Sequence, residues 1–481
     1  MTLKARITAI DRFIKGLRED GIYNDLQAAC VMAGWSNLAG ALTPLVGAAP
    51  TNSGFIATDY DRGIGITGDG TSYLDSNRAN NADPQSSKHL SVYVSKAATY
   101  DSVYSGAGGN NNTAVRRVSP TTTFGSVNRS TGHLTYIAAG ESIGTLGVNR
   151  PSASATELRI GGVTVSDALP PTTYPADNIG VFSRIASSTA AFVTDATLSF
   201  YSIGTSLDLA LLDARVSTLM ADLRAIEETG FDRDAIAYIR AVEEADGAYL
   251  ETDVKVAINN LVAGLKAEGL WDAMASSCLL CGPRTLAGAL VPLRGDAPTA
   301  YGFVEGDYDR EGLAGDGTSY LDSNRLDTAD PTNDRHIATY VTAAGTLGTR
   351  AYIESYDYDG AVATTITGLR ETDSNNVAFV SCLQFNPISP QKQTGFFGAS
   401  RNNASDFAYR YNGAGGINTV DSIAVVNQST YSVFASTRYD LLTPWLITNA
   451  KLAFYSIGSS VDLSKLDSHI SSYVTAIGAA V

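Results

Sequence analysis

The stretch Gly68-Asp-Gly-Thr-Ser-Tyr-Leu-Asp-Ser-Asn-Arg78 recurs without change as Gly315 to Arg325. Chance does not reproduce so long a mixed segment within one chain, so the fold is written twice. Working outward, Leu38 to Leu42 recurs as Leu286 to Leu290, and Asp59-Tyr-Asp-Arg62 recurs as Asp307 to Arg310. Near the far end, Phe200-Tyr-Ser-Ile-Gly204 recurs as Phe454 to Gly458. The copies run over 1–229 and 230–481, which makes each a whole domain rather than a solenoid unit of roughly 20–45 residues. The ends of the copies match and the middles diverge, as when one scaffold carries different loops.

Each copy reads as helix, strands, helix. Leu3, Ile7, Ile10, Ile14 and Leu17 make a helical stripe that Gly21 can stop. The apolar stretch Leu26 to Met32 is expected to continue helical. Leu90, Val92 and Val94 alternate with Ser91, Tyr93 and Ser95, a half-buried strand. Leu158 to Val165 around Gly161-Gly162, and Tyr409 to Tyr411 before Asn412-Gly413, are hairpin signals. With turn residues throughout the interval, the pattern predicts mainly β domains, antiparallel sandwiches flanked by helices.

Helical stripes recur behind the strands. Leu209, Leu212, Val216, Leu219 and Leu223 form one, repeated as Leu463, Leu466, Ile470, Tyr473 and Ile477. Val254, Ile258, Leu261 and Leu265 form another between the copies. Each can pack on its own sandwich or form a seam between identical subunits. The five residues from Leu209 to Leu223 are the candidate oligomerisation surface of a homotrimer.

Composition narrows the function. Lys and Arg number 34 against 49 Asp and Glu, a net charge of −15, which disfavours a surface that grips nucleic acid or an anionic membrane. Four cysteines exclude a disulfide scaffold. No apolar run is long enough for a membrane span, and the N-terminus does not read as a secretion signal.

The Gly68 to Leu74 turn with the His89 to Val94 strand, the Asn412-Gly413 hairpin, and the Phe-Tyr-Ser-Ile-Gly strand before a helix resemble laminin-G-like domains. The resemblance implies two tandem concanavalin A-like jelly rolls. With the helical stripes, the first copy has helices over 3–33, the jelly roll over 38–204 and a trailing helix over 206–228. The second has helices over 232–282, the jelly roll over 286–458 and a C-terminal helix over 460–479. The combination with Asp-Tyr-Asp-Arg and Tyr-Leu-Asp-Ser-Asn-Arg is similar to virion structural proteins of tailed bacteriophages. That resemblance implies a non-enzymatic protein assembled into the virion in the host cytoplasm, a trimeric tail fibre or spike. Its partners would be its own copies, other virion proteins and a host-surface glycan. A head fibre or capsid decoration protein is the alternative, and a carbohydrate-processing enzyme on the same fold is a third reading.

Candidate chemistry follows. Glu305, Asp307, Asp309 and Glu311 have the same-face spacing that paired catalytic carboxylates need, but the first copy reads Ala57, Asp59, Asp61 and Gly63 there. No catalytic residue is assigned. Asp59, Asp61 and Asp69, with Asp307, Asp309 and Asp316, can cap glycine turns or supply oxygen ligands to Ca²⁺; no other cofactor is implied. Cys278-Leu-Leu-Cys281 lacks two further zinc ligands nearby, and His89 and His336 stand at equivalent strand starts, where a structural hydrogen bond is expected. For a glycan, Tyr352, Tyr356, Asp357 and Tyr358 in a divergent loop offer aromatic faces beside a carboxylate.

Overall fold

The computed structural model describes residues 3–109, 113–119, 122–126, 134–137, 143–171, 176–358, 363–371, 378–383, 394–423, 429–438 and 444–481. The chain divides into two compact units. The first comprises Met1–Gly230 with Gly247–Thr252, and the second Phe231–Asp246 with Asp253–Val481.

In the first unit two sheets face each other. One runs Val163–Asp167, Ala155–Ile160, Gly144–Ser152, Lys88–Lys96, Thr197–Gly204, Gly65–Thr67 and Tyr60–Asp61, and Leu26–Val31 also pairs with Thr197–Gly204. The other runs Leu134–Ile137, Thr122–Ser126, Thr113–Ser119, Ser102–Ala107, Asn178–Val181, Tyr73–Ala79 and Thr51–Ser53. Spatial neighbours such as Lys88–Lys96 and Thr197–Gly204 are far apart in sequence and antiparallel, as in a jelly roll. The core between the sheets includes Leu74, Leu90, Val92, Val94, Leu146, Val148 and Ile203, all fully buried.

A helical layer covers the outer face of the first sheet. Helix α1 (Leu3–Glu19) ends where Gly21 takes φ +76°, and the short α2 (Leu38–Ala41) follows. Helix α3 (Leu209–Glu227) starts at Asp208, whose carboxylate accepts the backbone N–H of Ala210 at 2.8 Å and of Leu211 at 3.2 Å. Leu209, Leu212, Val216, Leu219 and Leu223 lie in one cluster with Phe13, Leu17, Tyr93 and Phe200 of the same unit, none of the five more than 3% exposed. This corrects the expectation of an intersubunit seam: the stripe is consumed by its own domain.

Leu26–Val31 is a strand, not the continuation of a helix. It is sandwiched. Ala28 and Cys30 join the core between the sheets, while Leu26, Ala29 and Val31 join the helical layer. Burial on both faces erases the period-two signal, so an apolar run of this kind reads equally as helix or strand. Met274–Leu279 is its counterpart in the second copy, so the helices there stop short of the expected 282.

The second unit repeats the plan. Helices α4 (Arg233–Asp246) and α5 (Thr252–Ala267) precede the strands, α6 (Leu286–Ala289) lies among them, and α7 (Leu463–Ala480) closes the chain. One sheet runs Pro292–Arg294, Met274–Leu279, Lys451–Gly458, Arg335–Ala343, Gly395–Arg401, Asp406–Tyr411 and Ala414–Thr419. The facing sheet runs Thr299–Tyr301, Tyr320–Leu326, Thr430–Val433, Arg350–Tyr358, Ala363–Glu371 and Ala378–Cys382.

Polar bonds are duplicated with the scaffold. Asn77 and Asn324 both take φ +56°, and each amide nitrogen donates at 2.8 Å to a carbonyl, Ala49 in one unit and Ala297 in the other. Asparagine tolerates this left-handed backbone where a β-branched residue would not. Arg78 pairs with Asp83 as Arg325 does with Asp330, and Arg159 with Asp213 as Arg410 does with Asp467. The two units are tandem jelly-roll β-sandwiches, each with its own helical layer.

Candidate functional site

The predicted glycan residues fall on the strand Arg350–Tyr358, not on a loop. A register shift between Ala351 and Ile353 breaks its alternation. Tyr352 and Ile353, consecutive in sequence, both enter the core. Tyr352 is fully buried, and its hydroxyl donates to Glu371 at 3.3 Å. It cannot stack on a sugar, which corrects that assignment. Tyr356 is half-buried and remains available in part. The side chains of Asp357 and Tyr358 lie outside the described residues.

Tyr356 belongs to a cluster that sequence reading missed. Its ring stands 5.9 Å from Trp445 and 5.8 Å from the Arg370 guanidinium. Arg370, on Ala363–Glu371, forms an ion pair with Glu354, which is fully buried and also accepts the Ser436 hydroxyl. Burial disfavours charge on Arg370, yet the carboxylate beside it more than offsets this and raises its pKa. Nearby, Glu371 is buried and its carboxyl is pushed up by desolvation, against hydrogen bonds from Thr448 and from the backbone of Gly345. Trp445 and Ser436 come from short strands about 80–90 residues downstream of Glu354 and Tyr356, a distance at which no local motif forms.

A second feature is a groove of 790 Å³ between the Asp406–Thr419 hairpin and the start of α7, lined by Asn402, Arg410, Ser460, Asp462 and Ser464 among others. Its charges are committed. Arg410 pairs with Asp467, and Asp462 caps α7 through the N–H groups of Ser464 and Lys465.

The acidic motif is structural. Glu305 accepts the backbone N–H of Leu286, at the start of α6, at 3.2 Å. Asp307 accepts the N–H of Val304 at 2.8 Å, and Asp309 accepts that of Glu311 at 3.0 Å. Asp309 and Glu311 both face Lys451. Asp69 and Asp316 each accept two backbone N–H groups in their glycine turns, at 2.6 to 2.7 Å. Against the cost of burial, those bonds hold both carboxyls down at about 2. Asp59 accepts the N–H of Ile56, while Asp61 accepts those of Gly63 and Thr252. Among the described residues no group of three or more His, Cys, Asp or Glu is placed to hold a metal ion.

His89 and His336 are fully buried. Nδ1 of His89 donates to the Thr205 carbonyl at 2.6 Å and Nε2 meets the Ser202 hydroxyl at 3.0 Å. His336 repeats this with the Ser459 carbonyl at 2.5 Å and the Ser456 hydroxyl at 2.8 Å. Cys278 and Cys281 are buried free thiols, pushed up to about 12 by desolvation.

No family model and no curated protein sequence matches the chain. Solved structures resemble it weakly. Domains LG4-5 of the mouse laminin α1 chain are 11% identical, with 80% of this chain and 86% of that chain covered and a TM-score of 0.22. The binding domain of botulinum neurotoxin serotype D is 9% identical, covering 92% and 98%, with a TM-score of 0.32. The enzymatically active domain of bacteriophage CBA120 tailspike protein 2 is 9% identical; the match covers 34% of this chain and 29% of that one, with a TM-score of 0.23. At these scores the likenesses say nothing of what this chain binds.

Proposed function

We propose that the chain is a non-enzymatic structural protein of a tailed-phage virion, a tail fibre or spike component whose jelly rolls meet the host surface. The observation that carries the reading is a duplicated scaffold with a diverged face. Both units keep the same histidine, asparagine and arginine–aspartate bonds. The strands that follow Tyr104 and Tyr352 carry different polar and aromatic groups in the two units. Repeating a rigid scaffold while varying one surface suits recognition more than chemistry, which needs one conserved constellation. The carboxylates that resemble a catalytic pair are tied up in caps, turns and an ion pair with Lys451. In this reading Tyr356 and Trp445 are the aromatic contacts toward a glycan in the second unit.

The test is immunogold electron microscopy of virions with antibody against the purified chain, together with binding of the labelled chain to host cells. The reading expects label on the tail, and cell binding lost when surface polysaccharide is stripped. Label on the capsid would assign the chain to head fibres or decoration. Hydrolysis of the host polysaccharide by the pure chain would overturn the non-enzymatic reading.

A further inference from the structure

The duplication lets one unit serve as the reference for the other. Phe182 donates its N–H to the Tyr104 carbonyl as Phe434 does to Tyr352, and Val103 donates to Phe192 as Ala351 does to Leu446. Counting along the paired strands, Arg116 stands opposite Val103 and Arg370 opposite Ala351, so these two arginines are equivalent. Arg184 pairs with Gly106 in the first unit as Ser436 pairs with Glu354 in the second.

The charge balance at this position differs. The second unit carries Arg370 here and supplies its own buried carboxylate, Glu354, with Ser436 alongside. The first unit replaces the carboxylate by Gly106 and the serine by a second cation, Arg184. Arg116 has turned to Asp101, with bonds of 2.9 and 2.6 Å. Arg184 has no carboxylate partner among the described residues, and its Nε is buried without a hydrogen bond. Both guanidiniums lie 4.8 Å from the Phe192 ring centroid. Burial, and then the neighbouring Arg116, lower the pKa of Arg184, the direction expected of a cation short of an anion.

The missing anion cannot come from position 106. A Cβ there would meet the Thr113 carbonyl at 2.9 Å and the Ala114 Cβ at 3.0 Å. An anion for Arg184 would have to approach from solvent. On that side the Phe192 ring is 43% exposed. Phe192 takes φ +54° as its counterpart Leu446 takes +50°, so this backbone geometry belongs to the shared scaffold.

We propose that Arg184, with the exposed ring of Phe192 beside it, forms a binding site in the first unit for the carboxylate of an acidic sugar. The guanidinium fork matches a carboxylate in two parallel hydrogen bonds, and the exposed face of the Phe192 ring can pack on the C–H surface of the pyranose. The site concerns the first unit alone and does not depend on placing the chain in a virion.

The test titrates the full chain with glucuronate, with glucose as the neutral control, by calorimetry and saturation-transfer NMR. Glucuronate should bind saturably, weaken as salt is raised, and not be displaced by glucose. Arg184→Gln should weaken binding tenfold or more with an unchanged melting temperature. Arg184→Lys, which keeps the charge but not the fork, should also weaken it. No saturable glucuronate binding, or equal affinity in wild type and a folded Arg184→Gln, would overturn the proposal. So would displacement by inorganic phosphate at equal concentration, because that would mark an unselective anion site.

Discussion

Acid should unfold this protein through two histidines. His89 and His336 sit at equivalent places, fully buried, each ring nitrogen already in a hydrogen bond. Desolvation outweighs the help of the neighbouring carbonyl and lowers both to about 4. In the unfolded chain a histidine titrates near ~6.5. Below that pH the unfolded state takes up a proton that the folded state refuses, so this stability is complete above 6.5 and drains as pH falls toward 4. At about 1.4 kcal/mol per pKa unit, each ring withdraws about 2 kcal/mol by pH 5 and about 3 kcal/mol by pH 4. The assay is urea unfolding from pH 7.5 to 4, with imidazole signals followed by NMR. His89→Gln, which keeps a neutral polar group, should remove about half of the pH dependence while lowering stability at pH 7.5. A midpoint that stays flat from pH 7 to 4.5 would refute the reasoning. A buried ring that titrates near 6.5 in the folded protein would refute it as well.

Leu219→Ala, at a side chain 1% exposed, should cost about 2–5 kcal/mol and lower the melting temperature by roughly 5–15 °C. Mass in light scattering should not change; a drop in mass with the fold intact would restore the intersubunit seam. A fragment ending at Gly230 should be less stable than one ending at Thr252 by about 2 kcal/mol or more, measured by urea unfolding. The shorter one loses Tyr249, whose ring lies 3.9 Å from the Arg224 guanidinium, and Thr252, which donates two bonds of 2.9 Å to Asp61. Equal midpoints would show that the 247–252 segment adds nothing to the first unit.

Much of the architecture was legible because it rests on local rules. The Gly161-Gly162 and Asn412-Gly413 turns lie where strands Ala155–Ile160 and Val163–Asp167, and Asp406–Tyr411 and Ala414–Thr419, reverse. Alternation from His89 to Ser95 marks a strand, though it is buried on both faces rather than half-buried because the helical layer covers Tyr93, and the stripe from Leu209 marks a helix, because one face of each repeats at its own period. The strand Arg350–Tyr358 was less legible. Strict alternation puts Tyr352 and Tyr356 on one face. The bulge after Ala351 sends Tyr352 into the core while Tyr356 meets Trp445 outside it.

The sequence by itself determined that there are two copies, where their turns fall, and that each trailing helix must bury one face. Those are properties of spacing along the chain. What each face is buried against was decided only by tertiary structure. An apolar stripe records a need for burial, and the nearest surface that meets it for α3 is the sheet of its own unit. The same holds for Leu26–Val31, whose period vanishes because helix and sheet cover it from both sides. It holds also for Arg184, whose lack of a carboxylate partner among the described residues shows only when Gly106 is set beside Glu354, since charge pairing depends on distance in space and not along the chain.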